Sequence, residues 1–384
     1  MSGGTHRTPL YGDKAARPTS PPRQRDRTNA RIPNPGATMT RTGQSSLRHL
    51  LHAATALCLS FAAVSTASAA DKVIMRINFT PWGMHAQYFG GRAQGFYAQE
   101  GIELEIRPPS SGQQNEVFIG SGREQFGVTN ADAFVKARGS GIPIVAVMAD
   151  QPDNPFAVIS LKKTGITGPD KLKGARIAWF PANVVGMLDP VLAKGGLTRK
   201  DVELVNVARG SEVQMLAAGQ VDGLFGYSFG QALTLEMRGF PVNVMPVRDY
   251  GVKFYGTVIY TNDALLKSNP DLVKRFVRAT MKSLIWAHDN VETAMQEIVK
   301  VSPDRDLKLE SRKLRMIYDL YNVPDYSERF GRMTDAKWQS SIDILAASGD
   351  LPKPPSPKEM YTNAIIDSLD EAKTLAAKIK TPAK

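Results

Sequence analysis

The pentapeptide Gly226-Tyr227-Ser228-Phe229-Gly230 has the G-x-S-x-G spacing of a hydrolase nucleophile elbow, between a strand pattern and a helix pattern. A Ser228 nucleophile would need an acid and a later histidine to take its proton. His288 is the only histidine after it, and it lies in the apolar helical stretch Phe276 to His288, which suits packing better than catalysis. No glycine-rich oxyanion loop accompanies the motif. Thiol chemistry is excluded beyond the N-terminal segment, because the single cysteine, Cys58, falls in a stretch read below as a cleaved export signal. Three of the five histidines (His6, His49 and His52) leave with it. His85 and His288 remain too far apart in sequence to suggest a metal site, and none is expected. Gly139-Ser140-Gly141 follows a helix and precedes a strand, the reverse of a dinucleotide-binding turn. No catalytic residue, cofactor or metal is therefore expected.

What remains are residues suited to binding. Trp82, His85, Asn130, Asp132, Phe180, Asn183, Tyr227 and Ser228 lie just beyond strand patterns, as do Thr80, Thr129 and Val184. In an open α/β sheet ligands bind off the carboxyl ends of strands, where helix N-termini converge. Trp82 and Phe180 would offer flat faces to a ligand, with Tyr227 beside them. Asn130 and Asp132 serve equally well as helix caps or as ligand contacts. His85 is either an ordinary helix-start residue or a polar cleft contact. Trp286 and Trp338 sit among apolar residues at helical spacing and read as core.

The elements that position these residues alternate. Val73 to Phe79 reads as a strand, His85 to Glu100 as a helix stopped by Gly101, and Ile102 to Ile106 as a period-two strand. Strands Gln125 to Thr129, Ile144 to Met148 and Phe156 to Leu161 follow, with helices Glu116 to Gly120 and Ala131 to Arg138 between them. The pattern then restarts with strands Arg176 to Trp179, Val202 to Val207, Gly223 to Tyr227 and Val242 to Met245. Helices Val184 to Lys194, Ser211 to Ala218 and Gln231 to Arg238 separate them. After a return strand, Gly256 to Thr261, the chain reads as nearly all helix, ending in Pro357 to Lys378. Strands separated by helices predict a mostly parallel sheet in each of two lobes.

The N-terminus reads as leader. Residues 1–38 are rich in Pro, Arg, Ser and Thr, an extension that is disordered or mis-started. From Met39, two arginines, an apolar run from Leu50 to Val64 and the small-x-small string Ala67-Ser68-Ala69 make an export signal over 39–70. The apolar run is short and alanine-rich for a permanent span. Leu57 precedes Cys58 where a lipid anchor needs a small residue. Of the chain's net +11, the first 70 residues carry +7, leaving +4 without a dense basic run, so nucleic acid is not an expected partner.

Several short strings resemble, in order, the sulfonate- and pyrimidine-binding family of ABC-importer substrate-binding proteins, of the thiamine-pyrimidine-precursor type. They are Pro81-Trp82, Gly95-Phe96-Tyr97, Glu100-Gly101-Ile102, Phe126-Gly127-Val128, Phe156-Ala157-Val158-Ile159-Ser160, Lys171-Leu172-Lys173-Gly174, Leu216-Ala217-Ala218-Gly219-Gln220-Val221-Asp222 and Pro270-Asp271-Leu272-Val273-Lys274-Arg275-Phe276. The resemblance implies a type II periplasmic-binding-protein fold, two α/β lobes joined by a hinge. It implies a monomer that captures a small organic molecule (pyrimidine-, sulfonate- or aromatic-type) in the periplasm and delivers it to an ABC permease with its ATPase. The expected lobes are 71–161 plus 257–384, and 162–256, hinged near Ser160 to Lys162 and Tyr255 to Thr257. A sensor ectodomain and a thiamine-pyrimidine-synthase-like enzyme share the resemblance. The cysteine-rich iron motif of that synthase is absent here.

Overall fold

The structure is a computed structural model that describes residues 69–110, 114–180, 184–208, 210–321, 328–349, 351–381 and 383. The N-terminal extension, all but the last two residues of the segment expected to be an export signal, and Asn183 lie outside the described residues.

Ten strands form two five-stranded sheets. They are β1 (Asp71–Arg76), β2 (Ile102–Arg107), β3 (Phe126–Asn130), β4 (Ile144–Gln151), β5 (Phe156–Leu161), β6 (Arg176–Trp179), β7 (Glu203–Asn206), β8 (Gly223–Tyr227), β9 (Val242–Pro246) and β10 (Thr257–Asn262). The first sheet has the order β2-β1-β3-β10-β4 and the second β7-β6-β8-β5-β9. Within each, four strands share one direction, and a single antiparallel strand is inserted between the third and the edge. Periodicity explains the faces. In β2, Ile102 and Leu104 are buried while Glu103 and Glu105 face out. β4, β5 and β10 are buried along their whole length, and the first six residues of β4 form a continuous apolar run.

The inserted strand corrects one expectation. Phe156–Leu161 was assigned to the first lobe by its place in the sequence, yet it pairs with β8 and β9 in the second sheet. In exchange, β10 returns to the first sheet between β3 and β4. The chain therefore crosses between sheets at residues 152–155 rather than near Ser160, and returns at residues 251–256. The two crossings touch: the Gly256 amide donates to the Gln151 carbonyl at 2.9 Å, and Thr257 Oγ1 donates to Asp150 Oδ2 at 2.9 Å.

Three predicted helices are broken where other contacts compete. The segment from His85 to Glu100 splits into a 3-10 turn (Gly83–His85), a helix (Ala86–Ala93) and a short helix (Phe96–Gln99), because Gly95 takes φ +77°. Gly91 permits the close crossing with the long helix Pro270–Asp289. A Cβ there would meet Ser283 Oγ at 1.8 Å. Gln231 to Arg238 begins as a π-turn (Ser228–Ala232) before the helix Leu233–Met237. Pro357 to Lys378 breaks around Tyr361, whose backbone bridges to Ala146 at the β4 edge. Trp338 is fully buried, and Trp286 is half-buried against Gly90 and Phe96.

Candidate functional site

A cleft of about 400 Å³ lies between the two sheets, at the carboxyl ends of the parallel strands of both. Asn78 and Trp82, just past β1, and Asn130 and Asp132, at the end of β3 and the start of the helix Ala131–Gly139, supply the first lobe's wall. Phe180, past β6, and Tyr227 and Phe229, at the end of β8 and in the π-turn after it, supply the second, with Glu212 opening the helix Glu212–Ala217. Gln151, Asn154, Tyr255 and Thr257 floor the cleft along the crossing segments, and Arg305 and Lys313 reach it from the helical region.

Aromatic faces dominate one side. Trp82 stacks on Phe229 across the lobes, with centroids 5.8 Å apart and planes 26° off parallel. Tyr227 lies 5.6 Å from Phe229 and meets Phe156 edge-on at 4.8 Å. Phe229 is nearly inaccessible and packs into the first lobe's core, so the lobes already touch through this side chain. Sequence reasoning missed it. The G-x-S-x-G string drew attention to the serine, whereas the π-turn swings its aromatic neighbour into the cleft.

The polar groups are held by identifiable partners. His85 Nε2 is 2.9 Å from Asn78 Oδ1, and Asn78 Nδ2 donates to Asn130 Oδ1 at 2.7 Å. Asn130 occupies the N-cap position without capping, so its side chain is turned to the cleft network instead. On the facing lobe, the Gly210 amide donates to Glu212 Oε2 at 2.6 Å and Gln231 Nε2 to Glu212 Oε1 at 3.0 Å. The Tyr227 amide in turn donates to Gln231 Oε1 at 2.8 Å. Burial raises the Asp132 carboxyl to about 6, against the opposing pull of Lys136. Lys313 is held by Glu310 at 2.7 Å, and Arg305 Nη2 donates to Thr80 Oγ1 at 3.1 Å. Gln151 Nε2 and Asn154 Nδ2 are buried donors without a hydrogen-bond partner.

Of the residues singled out in the sequence, Trp82, Asn130, Asp132, Phe180 and Tyr227 line the cleft together. His85 and Ser228 do not. His85 is wholly buried behind Asn78, and burial, with Arg305 adding to it, lowers its pKa to about 3. Thr129 is buried and donates to Glu116, and Val184 is core. Neither described histidine hydrogen-bonds Ser228: His85 is engaged by Asn78, and His288 by Asp289 and the Thr381 carbonyl. Among the described residues no cluster of three or more His, Cys, Asp or Glu side chains is arranged to hold a metal ion, and no helix is long and apolar enough to cross a membrane.

Two topologically matching α/β lobes around a shared cleft define a periplasmic-binding-protein fold. A solved structure of that fold, a putative periplasmic sulfonate-binding protein SsuA from Methylobacillus flagellatus KT, superposes with TM-score 0.62 at 20% identity, covering 83% of this chain and 99% of that one. The family described as NMT1/THI5 like matches residues 82–294, and the chain belongs to it. Among curated relatives, the 4-amino-5-hydroxymethyl-2-methylpyrimidine phosphate synthase THI5 of Saccharomyces cerevisiae is 25% identical, with 66% of this chain and 79% of the relative covered. The riboflavin-binding protein RibY of Chloroflexus aurantiacus is 24% identical (77% and 86% covered). The formylaminopyrimidine-binding protein of Halalkalibacterium halodurans is 22% identical (80% and 95% covered).

Proposed function

We infer that this protein is the periplasmic solute-binding component of an ABC importer, closing two lobes over a flat, amino-substituted heteroaromatic molecule and handing it to a permease. The observation that carries this is the cleft itself, walled by side chains of both lobes at matching strand ends. A ligand that touches both walls stabilises the closed arrangement in proportion to its extra contacts there. Trp82, Phe180 and Tyr227 suit an aromatic ring, and the volume suits one or two fused rings. Asp132 and Glu212, one from each lobe, accept N–H donors of such a ring. An anionic sulfonate would meet both carboxylates, with Lys313 already held by Glu310 and Arg305 the other cation at the cleft. The pyrimidine- and flavin-binding relatives support the same ligand class.

Mass spectrometry of solute carried through native purification tests this first, followed by calorimetric titration with formylaminopyrimidine, riboflavin and an alkanesulfonate. The expected result is stoichiometric binding of a pyrimidine or flavin without turnover. Binding of the sulfonate alone would overturn the ligand class. Steady multiple-turnover esterase activity abolished by Ser228→Ala would favour a serine hydrolase instead. N-terminal sequencing of periplasmic material is expected to begin at Ala70 or Asp71, and an intact leader on active protein would remove the export step.

A further inference from the structure

We propose that His85, although it never reaches the cleft, is a positioning residue that makes Asn130 a hydrogen-bond donor to the ligand by orienting two asparagine amides in series. The inference rests on the binding function proposed above for the ligand, but the orientation itself is a property of the empty protein.

The argument begins with a buried imidazole. A wholly buried His85 stays neutral across ordinary pH, so it carries one N–H and one lone pair. Its Nε2 lies 2.9 Å from Asn78 Oδ1, an acceptor without a proton, so the ring proton must be on Nε2. His85 Nδ1 is buried without a partner, consistent with its carrying the lone pair. With Oδ1 committed to the imidazole, Asn78 turns Nδ2 towards Asn130 and donates to its Oδ1 at 2.7 Å. The acceptor of Asn130 is thereby occupied. Its Nδ2 is the atom left for the cleft, where Asn130 is a lining residue.

Each link inverts if the one before it inverts. An Nδ1–H imidazole would accept a hydrogen bond at Nε2 from Asn78 Nδ2, Asn78 Oδ1 would then accept from Asn130 Nδ2, and Asn130 would show the cleft a carbonyl. One buried tautomer thus sets the sign of a ligand contact two residues away. Two positions on, Asp132 is an acceptor in the same wall. A neighbouring donor and acceptor match a ligand edge in which a ring nitrogen or carbonyl sits beside an N–H, as in amino-substituted heterocycles and cyclic amides. The backbone makes the arrangement rigid. Asn130 ends β3, Asn78 follows β1, and those strands are paired neighbours.

Selective 15N labelling of histidine and asparagine reads the relay without any ligand. The expected result is an Nε2-protonated, neutral His85 from pH 5 to 8, and Asn130 side-chain amide signals that shift in His85→Leu but stay near their wild-type positions in His85→Gln, which keeps an N–H. With formylaminopyrimidine and riboflavin as probes, His85→Leu should weaken binding about tenfold and His85→Gln restore most of it. An Nδ1–H tautomer, or unmoved Asn130 signals in folded His85→Leu, would overturn the relay. If His85→Leu does not fold, the wild-type tautomer still decides. If neither probe binds the wild type, the ligand class fails, while the labelling result stands for or against the relay.

Discussion

The two lobes share one strand order but differ in what they bury. From Phe156 to Pro246 the only buried polar or charged residues among those described are Ser160 and Glu212. The first lobe buries Arg76, His85, Gln87, Glu116, Glu124, Asp150 and several hydroxyl residues. Their site contributions overlap more: the first wall presents oriented amides, Asp132 and Trp82, the second Phe180, Tyr227 and Phe229 with one carboxylate. A buried polar network has fixed partners and so fixed directions, which suits it to reading a ligand's edge. An aromatic wall is tolerant of direction and suits a ligand's face. On the proposed reading, oriented amides lie mainly in the first lobe, while ring burial is shared between Trp82 of the first lobe and Phe180 and Tyr227 of the second.

The comparison breaks most readily at its ion pairs. Arg76 and Glu124 are both nearly inaccessible, with Arg76 Nε donating at 2.6 Å. The counterpart in the second lobe, Arg176 to Asp222 at 2.9 Å, is substantially exposed. Arg76→Ala leaves the buried Glu124 carboxylate only the 3.2 Å contact from the half-exposed Arg107, and is expected to cost about 3 kcal/mol in denaturant unfolding. A loss below 1 kcal/mol would mean that the first lobe's interior is wetter than its burial implies.

The next effect is the acid sensitivity of a buried imidazole in the first lobe. His85 titrates near 3 when folded and about 6.5 when unfolded, so between those values the unfolded chain holds the extra proton and stability rises with pH. Asp150, raised to about 6 by burial, has the opposite sign: its folded form holds the extra proton between about 3.8 and 6, so it resists acid in that window. Relative to wild type, His85→Gln should therefore gain about 2 kcal/mol on going from pH 8 to pH 5. Chemical unfolding at the two values checks this. An unchanged difference would show that His85 is protonated in the folded state.

The aromatic wall is sharpened by truncation. Trp82→Ala and Phe180→Ala should each weaken binding of the co-purified solute about tenfold, a loss of about 1.4 kcal/mol, without unfolding the lobe. Trp338→Phe is the control, expected to lower the melting temperature and leave affinity unchanged, because Trp338 is buried away from the cleft. Unchanged affinity in both cleft variants would place the ligand elsewhere. The smallest effect expected is that of Arg176→Ala, under about 1 kcal/mol, since an exposed pair is screened by water. A larger loss would erase the contrast between the lobes.

Strand identity and order were legible before any coordinates, because period-two and continuous apolar runs depend only on neighbours in the chain. Residues past strand ends were equally legible, and five of those singled out converge on one cleft. The membership of β5 in the second sheet was not, since an apolar run carries no mark of which sheet it joins. Phe229 was hidden because a π-turn changes the direction of a side chain without changing its sequence neighbours. His85 was noticed as a residue but not for its place, because the asparagine it orients, Asn78, acts in turn on Asn130, which lies 52 positions further along the chain. Local periodicity and turn residues settle which segments become strands and helices, since those energies act within a few residues. Sheet membership, burial of a charge or imidazole, and the direction of an amide depend on what packs against them, and only the tertiary structure decides that.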